Sequence, residues 1–192
     1  MLRIILVEPG ATEFDEQRRI KGNLDIPLSD NGLRQVAAMA VQLSEWELDV
    51  IYTSPCRSSV QTAEAIAFNR SFKVKTLDKL NNVDHGLWQG KLISEVKQNQ
   101  PKVYRQCQEH PERVCPPEGE ALADAHRRVE AAMGKLLKKH RSGLIAIVAP
   151  QPLSSILRSQ LRHEPLGDLW NAECDAGKWE VIEIKTEKAA LS

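Results

Sequence analysis

The feature that most constrains the fold is an apolar run near the start of the chain that stops abruptly in a turn. Residues 2–7 read Leu-Arg-Ile-Ile-Leu-Val, and Glu8, Pro9 and Gly10 follow. An apolar run of this length bounded by Pro-Gly predicts a strand that is buried on both faces. In a parallel sheet, ligands bind beyond the carboxyl ends of the strands. The sequence therefore predicts a candidate site directly after residue 7.

The rest of the chain alternates strand patterns with helix patterns. Strand patterns are found at residues 49–53, 73–75, 144–149 and 179–184. Apolar residues at helical spacing are found at residues 33–46, 122–136 and 153–161. This alternation predicts an α/β fold with three layers, a mostly parallel sheet with helices on both faces.

Composition predicts an ordinary globular protein. The 192 residues include 26 basic and 26 acidic residues, so the formal net charge is zero. This balance gives no support for a nucleic acid or a membrane surface as partner, and the apolar runs are too short to span a bilayer. The four cysteines lack the spacing of a zinc site or a disulfide framework: Cys56, Cys107, Cys115 and Cys174. We therefore expect a cytoplasmic protein with free thiols, no metal and no cofactor.

Short motifs of glycine, proline and polar residues stand at the ends of the predicted strands and helices. They occupy residues 7–12, 22–32, 54–63, 80–90, 116–124 and 148–152. In residue types and spacing these segments resemble the motifs of the histidine phosphatase family, also called the phosphoglycerate mutase-like family. The resemblance covers roughly residues 2–184. It implies one phosphoglycerate mutase-like domain over residues 1–192, with a helical cap insertion at about 91–120.

The resemblance also indicates which positions would carry the family's chemistry. In the family, one histidine takes up the phosphoryl group, two arginines bind the phosphate, a glutamate donates a proton and a second histidine assists. The matching positions in this chain are Glu8, Pro9, Ser58, Asn82 and Pro150. At each position the family's catalytic residue is therefore replaced.

The replacements remove what the family mechanism needs. Transfer to histidine requires a neutral imidazole, cationic donors for the phosphate oxygens and an acid for the leaving oxygen. An amide such as Asn82 cannot shuttle a proton. At about 4 Å and an effective dielectric constant near 20, Glu8 would repel a phosphate charge by roughly 4 kcal/mol. The sequence therefore predicts a catalytically inactive member, a pseudoenzyme that serves as a binding or regulatory module.

The alternative is a divergent phosphatase or phosphomutase with relocated catalytic residues. His85, beside the position of the lost acid, would be a relocated nucleophile or general base, although an ordinary loop histidine is the simpler interpretation. Cys56 is a candidate thiol nucleophile, against the simpler interpretation of a small buried hydrophobe. The residues that could still bind a ligand are Arg18, Arg57, Asp84, His85 and Gln151. The expected partner is an unidentified protein or small molecule, with a homodimer as a further alternative.

Overall fold

The computed structural model describes residues 1–113 and 115–184, and within them five strands form one sheet in the order β3-β2-β4-β1-β5. The strands are β1 (Leu2–Val7), β2 (Val50–Thr53), β3 (Lys73–Thr76), β4 (Gly143–Val148) and β5 (Trp179–Ile184). The first four pair in parallel, and β5 runs antiparallel along β1. The predicted mostly parallel sheet is confirmed.

Helices cover both faces of the sheet, which confirms the predicted three-layer α/β fold. The described α-helices are α1 (Glu13–Glu16), α2 (Asp30–Gln42), α3 (Arg57–Ala67), α4 (Ile93–Asn99), α5 (Pro101–Glu109), α6 (Leu122–Lys139), α7 (Leu153–Arg162) and α8 (Leu169–Ala172). Side chains of α6 and α7 pack on one face, and those of α2 and α3 pack on the other. Among the described residues, no helix has the length and apolar character needed to cross a bilayer.

Strand β1 is apolar on both faces because it lies inside the sheet between two helical layers. Ile4 and Leu6 point into the core with α6 and α7, whereas Ile5 and Val7 point into the core with α2 and α3. Successive side chains of a strand alternate between faces, so a strand covered on both sides needs a continuous apolar run. The carboxyl end of this strand delivers Glu8 to the edge of the α7 layer.

Two motif glycines hold the loop after β1 against the start of α2. A Cβ atom on Gly10 would lie 2.5 Å from the carbonyl oxygen of Gly32, and one on Gly32 would lie 2.0 Å from the carbonyl oxygen of Ala11. Only glycine permits this approach of the two backbones. Ser29 caps α2 by accepting a hydrogen bond from the Gly32 N–H at 3.0 Å.

One helix boundary differs from the sequence prediction. Helix α2 ends at Gln42 rather than near Trp46, because Ser44 turns back and donates its hydroxyl to the carbonyl oxygen of Val41. Pro101 separates α4 from α5, where it occupies the first helical position and needs no N–H. These two helices lie in the segment predicted as a cap insertion, whose role as a cap stays a prediction.

Candidate functional site

The carboxyl end of β1 carries a buried carboxylate, that of Glu8. Glu8 is 2% exposed, and its Oε1 atom accepts hydrogen bonds from three side chains of the β4–α7 region. The donors are Gln151 Nε2 at 2.9 Å, Ser154 Oγ at 3.3 Å and Arg158 at 2.8 Å. Glu8 Oε2 has no hydrogen-bond partner among the described residues. Within this cluster, the Arg158 cation balances the carboxylate.

Arg158 was not found by sequence reasoning, although it explains how the chain tolerates Glu8. It hydrogen-bonds both Glu8 and Glu180 and forms an ion pair with each. Burial disfavours the Arg158 cation, but the hydrogen bonds from its guanidinium to Glu180 and Glu8 outweigh this effect and raise its pKa. The signal for it was indirect, because a buried carboxylate requires a cation somewhere in the fold.

Asn82 ties three loops together instead of facing a ligand. Its Nδ2 group donates to the carbonyl oxygens of Gly22 and Gln151, both at 2.8 Å, and its Oδ1 atom accepts from the Leu153 N–H at 3.4 Å. Both ends of the Gln151 side chain are also engaged, since Nε2 donates to Glu8 and Oε1 accepts from Ser155 at 2.7 Å. The amide groups at these positions therefore stabilise the loops.

The two arginines predicted as ligand-binding residues are exposed, and neither is among the side chains that hydrogen-bond Glu8. Arg57 opens α3, where its backbone N–H donates to Asp25 Oδ1 at 2.8 Å. The backbone carbonyl of Arg18 accepts a hydrogen bond from the Ile93 N–H at 3.1 Å. Neither lines the cavity that contains His85.

His85 lines a mostly apolar cavity beside the Asn82 loop. The cavity is narrow: about 30 Å³ of it is open to a water-sized molecule, and the wider space of about 380 Å³ includes its mouth and the solvent there. Its walls come from residues 83–88, α5, residues 116–122 and the region of α8. Of the predicted site residues, His85 alone is among its lining residues, and Asp84 precedes it in the chain.

A carboxylate that the sequence did not predict faces His85 across this cavity. Glu173, which follows α8, is 2% exposed, and its Oε2 atom lies 3.5 Å from His85 Nε2. The second oxygen of Glu173 and both ring nitrogens of His85 are buried without a hydrogen-bond partner in the described structure. Trp88 also lines the cavity, and its buried indole N–H likewise has no partner. The cavity thus holds polar groups that the protein leaves unsatisfied.

Close backbone packing fixes the loop that carries His85. A Cβ atom on Gly86, whose φ is +49°, would lie 2.2 Å from the carbonyl oxygen of Pro117. Asp84 supports the same turn, since its Oδ1 atom accepts from the Gly86 N–H and its carbonyl accepts from the Glu120 N–H, each at 2.8 Å. Asp84 therefore positions the loop that carries the imidazole.

The thiols near the site are poorly suited to nucleophilic chemistry. Burial raises the pKa of the Cys107 thiol, which lines the cavity, to about 11. Cys56 is buried, and its sulfur contacts Ser54 Oγ at 3.2 Å and Asn81 Oδ1 at 3.7 Å. No group of three or more metal-binding side chains is found in the described residues.

Comparison with known proteins identifies the family. Residues 4–192 match the family model described as the histidine phosphatase superfamily, branch 1. The chain belongs to the histidine phosphatase superfamily. A curated relative, phosphoserine phosphatase 1 of Hydrogenobacter thermophilus, is 31% identical over 191 residues, which are 100% of this chain and 90% of that protein. A bifunctional protein of Mycobacterium tuberculosis is 27% identical over 99% of this chain, which spans about half (49%) of that protein.

Solved structures of two phosphatases share the fold. The alpha-ribazole phosphatase of Shigella flexneri superposes with a TM-score of 0.81 and 24% identity, covering 96% of this chain and 91% of that chain. A mycobacterial glucosyl-3-phosphoglycerate phosphatase superposes with a TM-score of 0.81 and 22% identity, covering 94% of this chain and 92% of that chain. The predicted phosphoglycerate mutase-like architecture is confirmed.

The same comparisons correct the prediction about activity. The chain was expected to be a catalytically inactive binding module, because family catalytic residues are replaced at Glu8, Pro9, Ser58, Asn82 and Pro150. The relative from Hydrogenobacter thermophilus and the two structural neighbours described above are named as phosphatases, which contradicts that prediction and favours the alternative of a divergent phosphatase. The prediction was wrong because it equated loss of the family's residues with loss of activity.

Proposed function

We propose that this member of the histidine phosphatase superfamily is a divergent phosphomonoesterase whose reaction is carried by His85. The observation that supports this assignment most strongly is the buried pair of His85 and Glu173, 3.5 Å apart at the wall of a cavity. The imidazole nitrogens have no other partner among the described residues. The named activity of the relative from Hydrogenobacter thermophilus, a phosphoserine phosphatase, supports the reaction class.

His85 acts as a general base in the proposed reaction. The neutral imidazole takes a proton from a water molecule, whose oxygen forms a bond to phosphorus as the bond from phosphorus to the ester oxygen breaks. The imidazolium then returns the proton to the leaving oxygen, so the products are inorganic phosphate and the alcohol. Glu173 orients the imidazole and stabilises its protonated form, the role of a carboxylate beside a catalytic histidine.

The walls of the cavity predict slow turnover. Of its ten lining residues, none is a lysine or an arginine. Phosphoryl transfer depends on donors that stabilise charge on the phosphate oxygens, and loss of a single such donor costs about 10²–10³ in kcat in well-studied hydrolases. We therefore expect a kcat at least about 100-fold below that of relatives that retain their arginines.

We also propose a cap over the cavity and a cytoplasmic location for the protein. Helices α4 and α5, within residues 91–120, are proposed to form a cap, which is supported by Cys107 of α5 lining the cavity. A cytoplasmic location is proposed as well. It is supported by the four cysteines, which are all free thiols, because free thiols are typical of a reducing compartment.

Hydrolysis of p-nitrophenyl phosphate and phosphoserine by the wild type and by His85→Gln tests the function. Removal of a general base should lower kcat by about 10²–10⁴. His110→Gln is the matched control, because His110 is an exposed histidine paired only loosely with Glu112 at 3.5 Å. Equal rates for wild type and His85→Gln would contradict the assignment of the base, and no hydrolysis by the wild type would contradict the function.

A further inference from the structure

The second oxygen of Glu173 points to the kind of substrate that the cavity accepts. We infer that the cavity recognises an ammonium group, so that the substrate is a phosphomonoester whose alcohol portion carries an amine. This inference rests on the proposed function, since it places the amine beside the reacting imidazole. It follows from the charge, the hydrogen bonding and the aromatic walls of the cavity.

The charge of Glu173 has no full cation to balance it among the described residues. Its side chain is 2% exposed, and its Oε2 atom lies 3.5 Å from His85 Nε2. A buried carboxylate is costly unless a cation or hydrogen-bond donors accompany it. The unsatisfied Oε1 atom therefore predicts a cationic donor from the ligand.

The second carboxylate of the cavity is already neutralised. Glu120 receives two hydrogen bonds from the Arg128 guanidinium, at 2.7 and 2.9 Å. Arg128 also donates to the carbonyl oxygens of Lys79 and Asn82, so its donors are committed to the protein. The uncompensated negative charge of the cavity is therefore confined to Glu173.

The two oxygens of the Glu173 carboxylate have different roles in the inferred site. Oε2 faces Nε2 of His85 and supports the imidazole, whereas Oε1 is left for the ligand. A primary ammonium carries three donors, which suits a carboxylate oxygen in a confined space. The ammonium would also offset the repulsion between Glu173 and a phosphate group bound next to His85.

Aromatic walls favour the same ligand. Trp88 and Trp170 both line the cavity, with ring centroids 5.8 Å apart, and Tyr104 stacks on Trp170 at 5.2 Å. Indole faces attract organic cations through their quadrupole, and the surrounding apolar side chains suit a short methylene chain. A small ammonium compound matches each part of this lining.

Hydrolysis of 2-aminoethyl phosphate and n-propyl phosphate tests the inference, because the two esters differ only in an ammonium and a methyl group. The wild type should hydrolyse 2-aminoethyl phosphate with a kcat/KM at least tenfold higher. Glu173→Gln should reduce this preference to less than about threefold, since it removes the charge and keeps the shape. The control is Glu64→Gln, an exposed glutamate of α3, which should keep the preference.

A binding measurement separates this inference from the proposed function. The melting temperature is measured with 2-aminoethanol and with 1-propanol, the alcohols that the two esters release. A rise with 2-aminoethanol only, lost in Glu173→Gln, supports ammonium recognition even if neither ester is hydrolysed. If 2-aminoethanol stabilises the protein but neither ester is hydrolysed, the proposed phosphatase function is refuted and the inferred ammonium recognition stands.

Two results would overturn the inference. Equal hydrolysis of the two esters by the wild type would refute the ammonium preference and leave the phosphatase assignment intact. Absence of both hydrolysis and thermal stabilisation by 2-aminoethanol would refute the inference and the proposed function together. The wild-type comparisons decide these outcomes even if Glu173→Gln does not fold.

Discussion

Two polar regions beyond the strands of the sheet differ in how completely the protein satisfies them. Around Glu8 and Asn82, side chains are engaged by Gln151, Ser154, Arg158 and backbone carbonyls, and a single buried oxygen of Glu8 is left over. Around His85 and its neighbours in the cavity wall, five buried polar atoms lack partners among the described residues. Because folded proteins satisfy nearly all buried polar groups, a cluster of unsatisfied atoms indicates a place for a ligand. The first region therefore stabilises the fold, and the second is the site of the proposed reaction.

Reversing the charge at Glu8 should produce the largest effect on stability. Glu8→Arg would place a second guanidinium against Arg158 in a buried site, and we expect the free energy of unfolding to fall by about 3–5 kcal/mol. Urea denaturation measures this change. The double variant Glu8→Arg with Arg158→Glu should recover part of the loss, and a single variant within about 1 kcal/mol of wild type would show that the ion pair contributes little.

Replacing the Asn82 donor should have the next largest effect. Asn82→Asp removes the N–H groups that serve two carbonyl oxygens and places a carboxylate against them. We expect a loss of about 2–4 kcal/mol in the free energy of unfolding. Asn69→Asp, at an exposed position, is the control and should change stability by less than about 0.5 kcal/mol. A similar result for both variants would mean that Asn82 does not tie the loops.

Replacing Glu173 in the cavity should have a smaller effect on the free energy of unfolding, and the effect should have the opposite sign. Glu173→Gln removes a buried charge with an unsatisfied oxygen, so we expect the free energy of unfolding to stay level or rise by up to about 1 kcal/mol. Phosphatase activity should fall in the same variant. A loss of stability above about 2 kcal/mol would identify Glu173 as a structural residue and contradict the contrast between the regions.

The smallest expected effect concerns pH and lies outside both regions. Burial lowers the pKa of His140, whose Nε2 atom lies 2.9 Å from the Tyr52 hydroxyl. Since the unfolded state then binds the proton more tightly, the contribution of His140 to stability is present above its unfolded pKa of about 6.5 and is lost as pH falls towards the folded pKa. His140→Gln should flatten the stability curve below about pH 6.5. His110→Gln is the control, and the same flattening in that variant would refute the assignment.

More of the fold than of the candidate site could be predicted from the sequence. Buried strands can be recognised by continuous apolar runs such as residues 2–7. The Ser29 cap follows from the preference for serine before the first residue of a helix. The pairs that define the two regions join distant residues, Glu8 with Arg158 and His85 with Glu173. Local periodicity carries no information about such contacts. His85 was named from the sequence because it neighbours a motif position, whereas Glu173 lies in a segment without a motif.

The motif positions also show that the framework of a site persists where prolines stand at the positions matched to its histidines. Pro9 and Pro150 cannot act as imidazoles, yet the glycines that shape the surrounding loops, Gly10 and Gly32, remain in close contact. A fold that keeps its framework still presents other side chains near the ends of its strands. In this chain the nearby loop presents His85, so chemistry can be relocated without a change of architecture.

A crystal structure with vanadate and 2-aminoethanol would test the central claim most directly, because vanadate mimics the phosphoryl group in transfer. The account predicts vanadate within hydrogen-bonding distance of His85 and the amine at Glu173 Oε1. Vanadate bound instead between Pro9 and Pro150, or an empty His85 cavity at saturating vanadate, would contradict it.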